Sequence, residues 1–165
     1  VGSAGTAALF AAKGTAMKLE WGLTAGNAEG EVDRLLAVSR KAEGGLPLTE
    51  AQARAVAQAH GEALRRTGRI EFGKNAAEKL VEIFAGSPWL TREEQGQQLA
   101  ELAALFYDCR AELPDSLPDG WLLEQMRRAF DGSCRGCMEL MNDCFLLQLP
   151  RHLRQGGRSE DFGWL

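Results

Sequence analysis

Residues 90–113 read "LTREEQGQQLAELAALFYDCRAEL", and the spacing of their apolar side chains settles the fold class. Leu99, Leu102, Phe106 and Cys109 or Leu113 recur at intervals of three and four, which places them on one face of a helix. Leu105, Phe106 and Tyr107 in succession widen that face, so this helix is expected at the centre of the core. Thr91 with Glu94 marks its start. In a capping box the threonine hydroxyl accepts from an orphan N–H while the side chain three residues on reaches back. Thr49 with Gln52 carries the same signature.

The same period extends in both directions. Helices are predicted at about residues 30–42, 50–67, 74–86, 92–112, 119–131 and 135–154, with a further one near 4–18. Ala77, Leu80, Val81 and Phe84 form one core stripe, and Leu122, Met126, Ala129 and Phe130 another. The face of 50–67 is mostly alanine, with Ala53, Val56, Ala57, Ala63 and Leu64, which predicts a peripheral helix or an interface. Breaks fall at Gly44 to Pro47, Gly68, Ser87-Pro88, Pro114 to Pro118, Gly132 and Gly156-Gly157, all residues that stop or turn a helix. Only "RIEF", 69–72, suits a short extended piece. Short connections favour antiparallel neighbours, so the expected fold is all-α, a compact single-domain bundle of about six helices.

The 165 residues are 45% hydrophobic and 25% charged, as in ordinary globular proteins, and can bury a core without metal or disulfides. The net charge of −4 argues against a broad nucleic-acid surface. Basic clusters at Arg65, Arg66, Arg69, at Arg127, Arg128, Arg135, and at Arg151, His152, Arg154, Arg158 are short and suit solvated helix ends. No apolar run reaches the length of a membrane span. Residues 1–16 read as a small-residue leader ahead of Met17, residues 17–157 as the helical domain, and 158–165 as a C-terminal tail. Three of four cysteines crowd into 133–144, unlike a secreted disulfide framework, so the expected compartment is reducing cytoplasm.

That crowd, "SCRGCMELMNDC", invites three readings. A Cys134–Cys137 redox pair would use a helix N-terminus to acidify its first thiol. The histidine four positions after the motif in an alkyl-hydroperoxidase-D-like pattern is Met141 here, which leaves such a pair without its proton shuttle. A zinc site on Cys134, Cys137 and Cys144 would need a ligand from Cys109, His60 or His152. On a continuous helix, however, Cys134 and Cys144 stand roughly 15 Å apart along the axis. The third reading is packing: Cys134, Cys137, Met141, Cys144 and Phe145 fall within an arc of about 100° on a helical wheel. No cofactor is implied. Walker A, HExxH and GxSxG patterns are absent.

"TGRIEFG", 67–73, is expected to latch the fold through an Arg69–Glu71 pair while Ile70 or Phe72 plugs the core. Arg69 and Glu71, with Phe162 and Trp164 of the tail "EDFGWL", are the candidate interaction residues.

The ordered set "TGRIEFG", "AGSPWLTREEQGQQLAELAALFYDCRAEL" and "LLEQMRRAFDGSCRG" resembles a bacterial domain-of-unknown-function family with the pattern TGRxEFG … FYxx … FxGxCxG, over about residues 47–155. The resemblance implies a small intracellular helical protein with no assigned activity, cofactor or catalytic residue. In that pattern a serine follows the GxCxG turn where this chain has Cys137. With no persuasive catalytic set in the sequence, the chain is expected to be a non-enzymatic interaction or regulatory module that meets a protein partner, or a second copy of itself, through a helical face or the C-terminal tail. A thiol-disulfide oxidoreductase or a small zinc-binding protein are the alternatives.

Overall fold

A computed structural model of the chain describes residues 25–162, with side chains from residue 29 onward. The helices are α1 (Ala25–Lys41), α2 (Glu50–Thr67), α3 (Ala76–Phe84), α4 (Gln95–Arg110), α5 (Asp119–Asp131), α6 (Met138–Met141) and α7 (Gln148–Arg154). A π-helical turn, Asn142–Leu146, joins α6 to α7, and a 3-10 turn spans Ser159–Asp161. No strand occurs among the described residues, so the all-α class is observed. The described residues from Arg34 onward form one compact unit, and the first part of α1, to Asp33, belongs to another. The division thus falls inside α1. The predicted helix near 4–18 lies outside the described residues.

Within the unit that begins at Arg34, α4 is the hub, packing against α2, α3, α5 and the π turn. Leu99, Leu102, Phe106 and Tyr107 are buried along it, as the stripe required. Phe84 of α3 meets Phe130 of α5 edge-on at 5.6 Å between ring centres. The alanine-rich α2 is not peripheral. It makes the most extensive helix pairing of the unit, against α4, because Ala53, Val56, Gly61 and Ala63 let the two backbones approach. At the crossing, a Cβ on Gly96 would sit 3.0 Å from the Gln52 Cα.

The two capping boxes part company. At Thr49 both halves form: Gln52 N–H donates to Thr49 Oγ1 at 3.1 Å and Thr49 N–H to Gln52 Oε1 at 2.9 Å. At Thr91 only the first half forms, from Glu94 N–H at 3.2 Å. Thr91 N–H donates instead to Gln98 Oε1, and α4 starts three residues later than predicted, at Gln95.

The expected single helix over 135–154 is interrupted twice. Residues 132–137 turn before α6 begins at Met138. Farther on, Pro150 has no N–H for the Leu146 carbonyl, and its ring crowds that carbonyl. The chain widens to a π turn, closed by Leu147 N–H to Asn142 O at 2.9 Å, and the Leu146 carbonyl accepts from the Cys109 thiol at 3.5 Å. Burial pushes the Cys109 thiol up to about 12, so it stays protonated and able to donate.

Candidate functional site

The loop after α2 is where the structure departs furthest from expectation. Gly68 ends α2 in the left-handed conformation (φ 72°), its N–H donating to Leu64 O at 2.9 Å. Residues 69–72 then run without regular secondary structure, and their side chains alternate. Arg69 and Glu71 turn inward, with side-chain exposures of 26% and 8%. Ile70 and Phe72 turn outward, at 77% and 88%. The expected core plug is therefore reversed. Beneath the loop, α2 presents His60, α4 presents Tyr107 and Arg110, and α5 presents Asp119. Polar groups buried there need polar partners, which Arg69 and Glu71 supply and Ile70 and Phe72 cannot.

The expected Arg69–Glu71 pair is present and extends into a network. Glu71 Oε1 lies 2.7 Å from His60 Nε2; an ionised carboxylate only accepts, so Nε2 carries the proton. Glu71 Oε2 accepts from the Tyr107 hydroxyl at 2.6 Å and from Arg69 Nε at 3.1 Å. Arg69 continues to Asp119 through its other guanidinium arm. Arg110 Nε reaches the second Asp119 oxygen at 2.9 Å, and its Nη1 reaches the carbonyls of Leu113 and Pro114. Two carboxylates thus face two guanidiniums and the imidazole of His60, so each buried charge has a partner of opposite sign. Burial pushes the Glu71 carboxyl up, yet hydrogen bonds with His60 and Tyr107 and the charges of His60 and Arg69 outweigh it and hold the group below the usual range. Tyr107 is pushed well up by burial and by its bond to Glu71.

Of this network the sequence marked Arg69 and Glu71; it did not mark Tyr107, Arg110 or Asp119, and it offered His60 only as a zinc ligand. One signal was present: His60 stands four residues after Val56 on the buried face of α2, where an imidazole needs a partner from elsewhere.

The cysteines are placed differently from one stripe. Cys134 and Cys109 are buried, Cys144 is half-buried and Cys137 is exposed, and all four are free. The common arc fails because the helix begins only after Cys137, whose Sγ accepts from Leu140 N–H at 3.4 Å. For the same reason the 15 Å rise does not apply. The Cys134 thiol is not acidified: burial pushes it up, and the neighbouring Cys144 and Cys137 push the same way, against a hydrogen bond with Ser133. Among the described residues no group of three or more Cys, His, Asp or Glu side chains is arranged to hold a metal. His60 is engaged by Glu71, and His152 Nε2 lies 2.9 Å from Arg158 O.

In the tail, Phe162 packs its ring 5.3 Å from Phe145 and 5.2 Å from His152, centre to centre. Trp164 lies outside the described residues. Among the described residues no helix is long and apolar enough to cross a membrane.

Comparison with the curated proteins and with the solved structures gives no match. A family model matches residues 35–159, a wider span than the 47–155 over which the motifs carried the resemblance. The chain belongs to that family, a family of unknown function (DUF6323).

Proposed function

We propose that the protein is a non-enzymatic, cytoplasmic interaction module that meets a protein partner through Ile70 and Phe72. One observation carries this reading: two large apolar side chains stand 77% and 88% exposed on a loop whose intervening residues are locked beneath it. Flexible loops hide such side chains or leave them disordered, whereas a pinned loop presents them at low entropic cost. Aromatic and aliphatic anchors of this kind supply most of the energy of small interfaces. Arg69 and Glu71 act as positioning residues for these anchors.

Two further features favour a binding role. A cleft of about 220 Å³, bordered by Ser39, Gly45, Leu48, Val81, Pro88 and Gln95, has no titratable side chain in its lining. The basic clusters are largely committed within the chain, with Arg66 on Asp108, Arg127 on Asp131, Arg154 on Glu112 and Arg158 on Glu160, which speaks against a nucleic-acid partner. Four free thiols suit a reducing compartment.

The test is a double substitution, Ile70→Ser with Phe72→Ser, compared with Leu147→Ser at another exposed apolar position. Proteins cross-linked to the wild-type chain are expected to disappear with the loop variant and persist with Leu147→Ser. Thermal unfolding should shift little, since exposed substitutions change stability by about 0.5 kcal/mol or less. An identical set of cross-linked proteins in both variants would refute the reading.

A further inference from the structure

Residues 132–137 form a turn with unusual geometry for its composition. Cys137 N–H donates to Cys134 O at 2.9 Å, and Gly136 N–H returns to Phe130 O at 2.7 Å. Between the two cysteines, Arg135 (φ 50°) and Gly136 (φ 79°) are both left-handed. Arg135 is alone among the described non-glycine residues in that region, where a side chain strains the backbone. A turn closed by this hydrogen bond holds its end Cα atoms within about 7 Å, which overlaps the separation of roughly 4.4–6.8 Å spanned by disulfides. The two thiols also differ in access. Cys137 is exposed, while Cys134 is 4% exposed. Over the turn lies Trp89: a Cβ on Gly136 would meet the Trp89 Cβ at 2.8 Å, and the indole N–H donates to Asp131 O at 3.3 Å.

We propose that Cys134 and Cys137 are a reversible thiol-oxidation site whose co-substrate is a low-molecular-weight disulfide such as oxidised glutathione. The Cys137 thiolate attacks one sulfur of that disulfide; the S–S bond breaks, and one glutathione thiolate leaves and takes up a proton. The mixed disulfide on Cys137 is then attacked by the Cys134 sulfur, which gives up its proton. A Cys134–Cys137 bond forms, and the second glutathione departs as a thiol. Two protein thiols are oxidised and one glutathione disulfide is reduced to two thiols; excess glutathione reverses both steps. The unequal access fits the order, since the exposed thiol meets the reagent and the shielded one resolves the adduct. Burial, which keeps the Cys134 thiol protonated, makes the second step the slower. This role does not depend on Ile70 or Phe72.

The test uses the intact, reduced chain equilibrated with graded ratios of oxidised to reduced glutathione, followed by denaturing alkylation and tryptic mapping. Trypsin cuts after Arg135, so the bond would join peptide 129–135 to peptide 136–151. The expected result is loss of two of the four thiols and appearance of that linked pair, unchanged in Cys144→Ser. In Cys134→Ser and Cys134→Ala, Cys137 should instead accumulate as a stable glutathione adduct. In Cys137→Ser, the thiol of Cys134 should stay unmodified. A linkage to Cys144, a lasting mixed disulfide on the wild-type chain, or thiols silent until denaturant would each overturn the proposal. Circular dichroism of each variant separates loss of chemistry from loss of fold.

Discussion

Glu71 shows at the scale of one residue why the loop holds its shape. Its side chain is 8% exposed, and its two oxygens meet His60, Tyr107 and Arg69. Glu71→Gln keeps the shape and removes the charge, and is expected to destabilise the fold at neutral pH by about 2–3 kcal/mol, as for charge-assisted bonds with little solvent. The pH dependence has a definite sign. The carboxyl is held below its ordinary value in the folded chain, so its stabilisation is complete above the unfolded value of about 4.3. It fades as pH falls through the lower folded value. Urea unfolding of both proteins across acid pH should show the gap between them closing below about pH 4. A constant gap would exclude Glu71 ionisation as its source. The pairing of Arg69 with Glu71 was legible because two opposite charges two apart in an extended segment share a face. Which face turned inward was not, since the polar groups that decided it come from residues 60, 107, 110 and 119.

Among the elements, the α2–α4 pairing and the break before α7 make separate predictions. Alanine is favoured over glycine in a helix by about 1 kcal/mol, yet Gly96→Ala is expected to lower stability by about 1–3 kcal/mol through overpacking. The added methyl would press on the Gln52 Cα, and Gln52 already serves Thr49 N–H, Gln95 and the Arg92 carbonyl. Denaturant unfolding measures it, and a stabilised variant would contradict the close approach. At the π turn, Cys109→Ala removes a donor from the Leu146 carbonyl and should cost about 1 kcal/mol or more, while Cys109→Ser, which keeps a donor, should cost less. Equal losses would assign the effect to packing alone. Thr49 and Thr91 show how far local signals reach. Both mark a helix start, but the Thr91 N–H donates to Gln98 and not to Glu94, and the adjoining Arg92 carbonyl accepts from Gln52 of α2.

For the molecule as a whole, the last residues belong to the fold as far as they are described. Phe162 covers Phe145 and His152, so deleting 158–165 is expected to lower stability by about 1 kcal/mol, equivalent to roughly 2–4 °C in Tm. Scanning calorimetry would show it, and an unchanged Tm would mean that this ring contact contributes nothing. The helical class, the central position of 95–110, the buried stripes and the cap at Thr49 were written in the sequence, because each depends on residues within a few positions of one another. The inward turn of Arg69 and Glu71, the exposure of Ile70 and Phe72 and the burial of α2 were decided by tertiary structure. In each, the deciding group lies far along the chain, and its need for a hydrogen-bond partner or for space outweighs the local pattern.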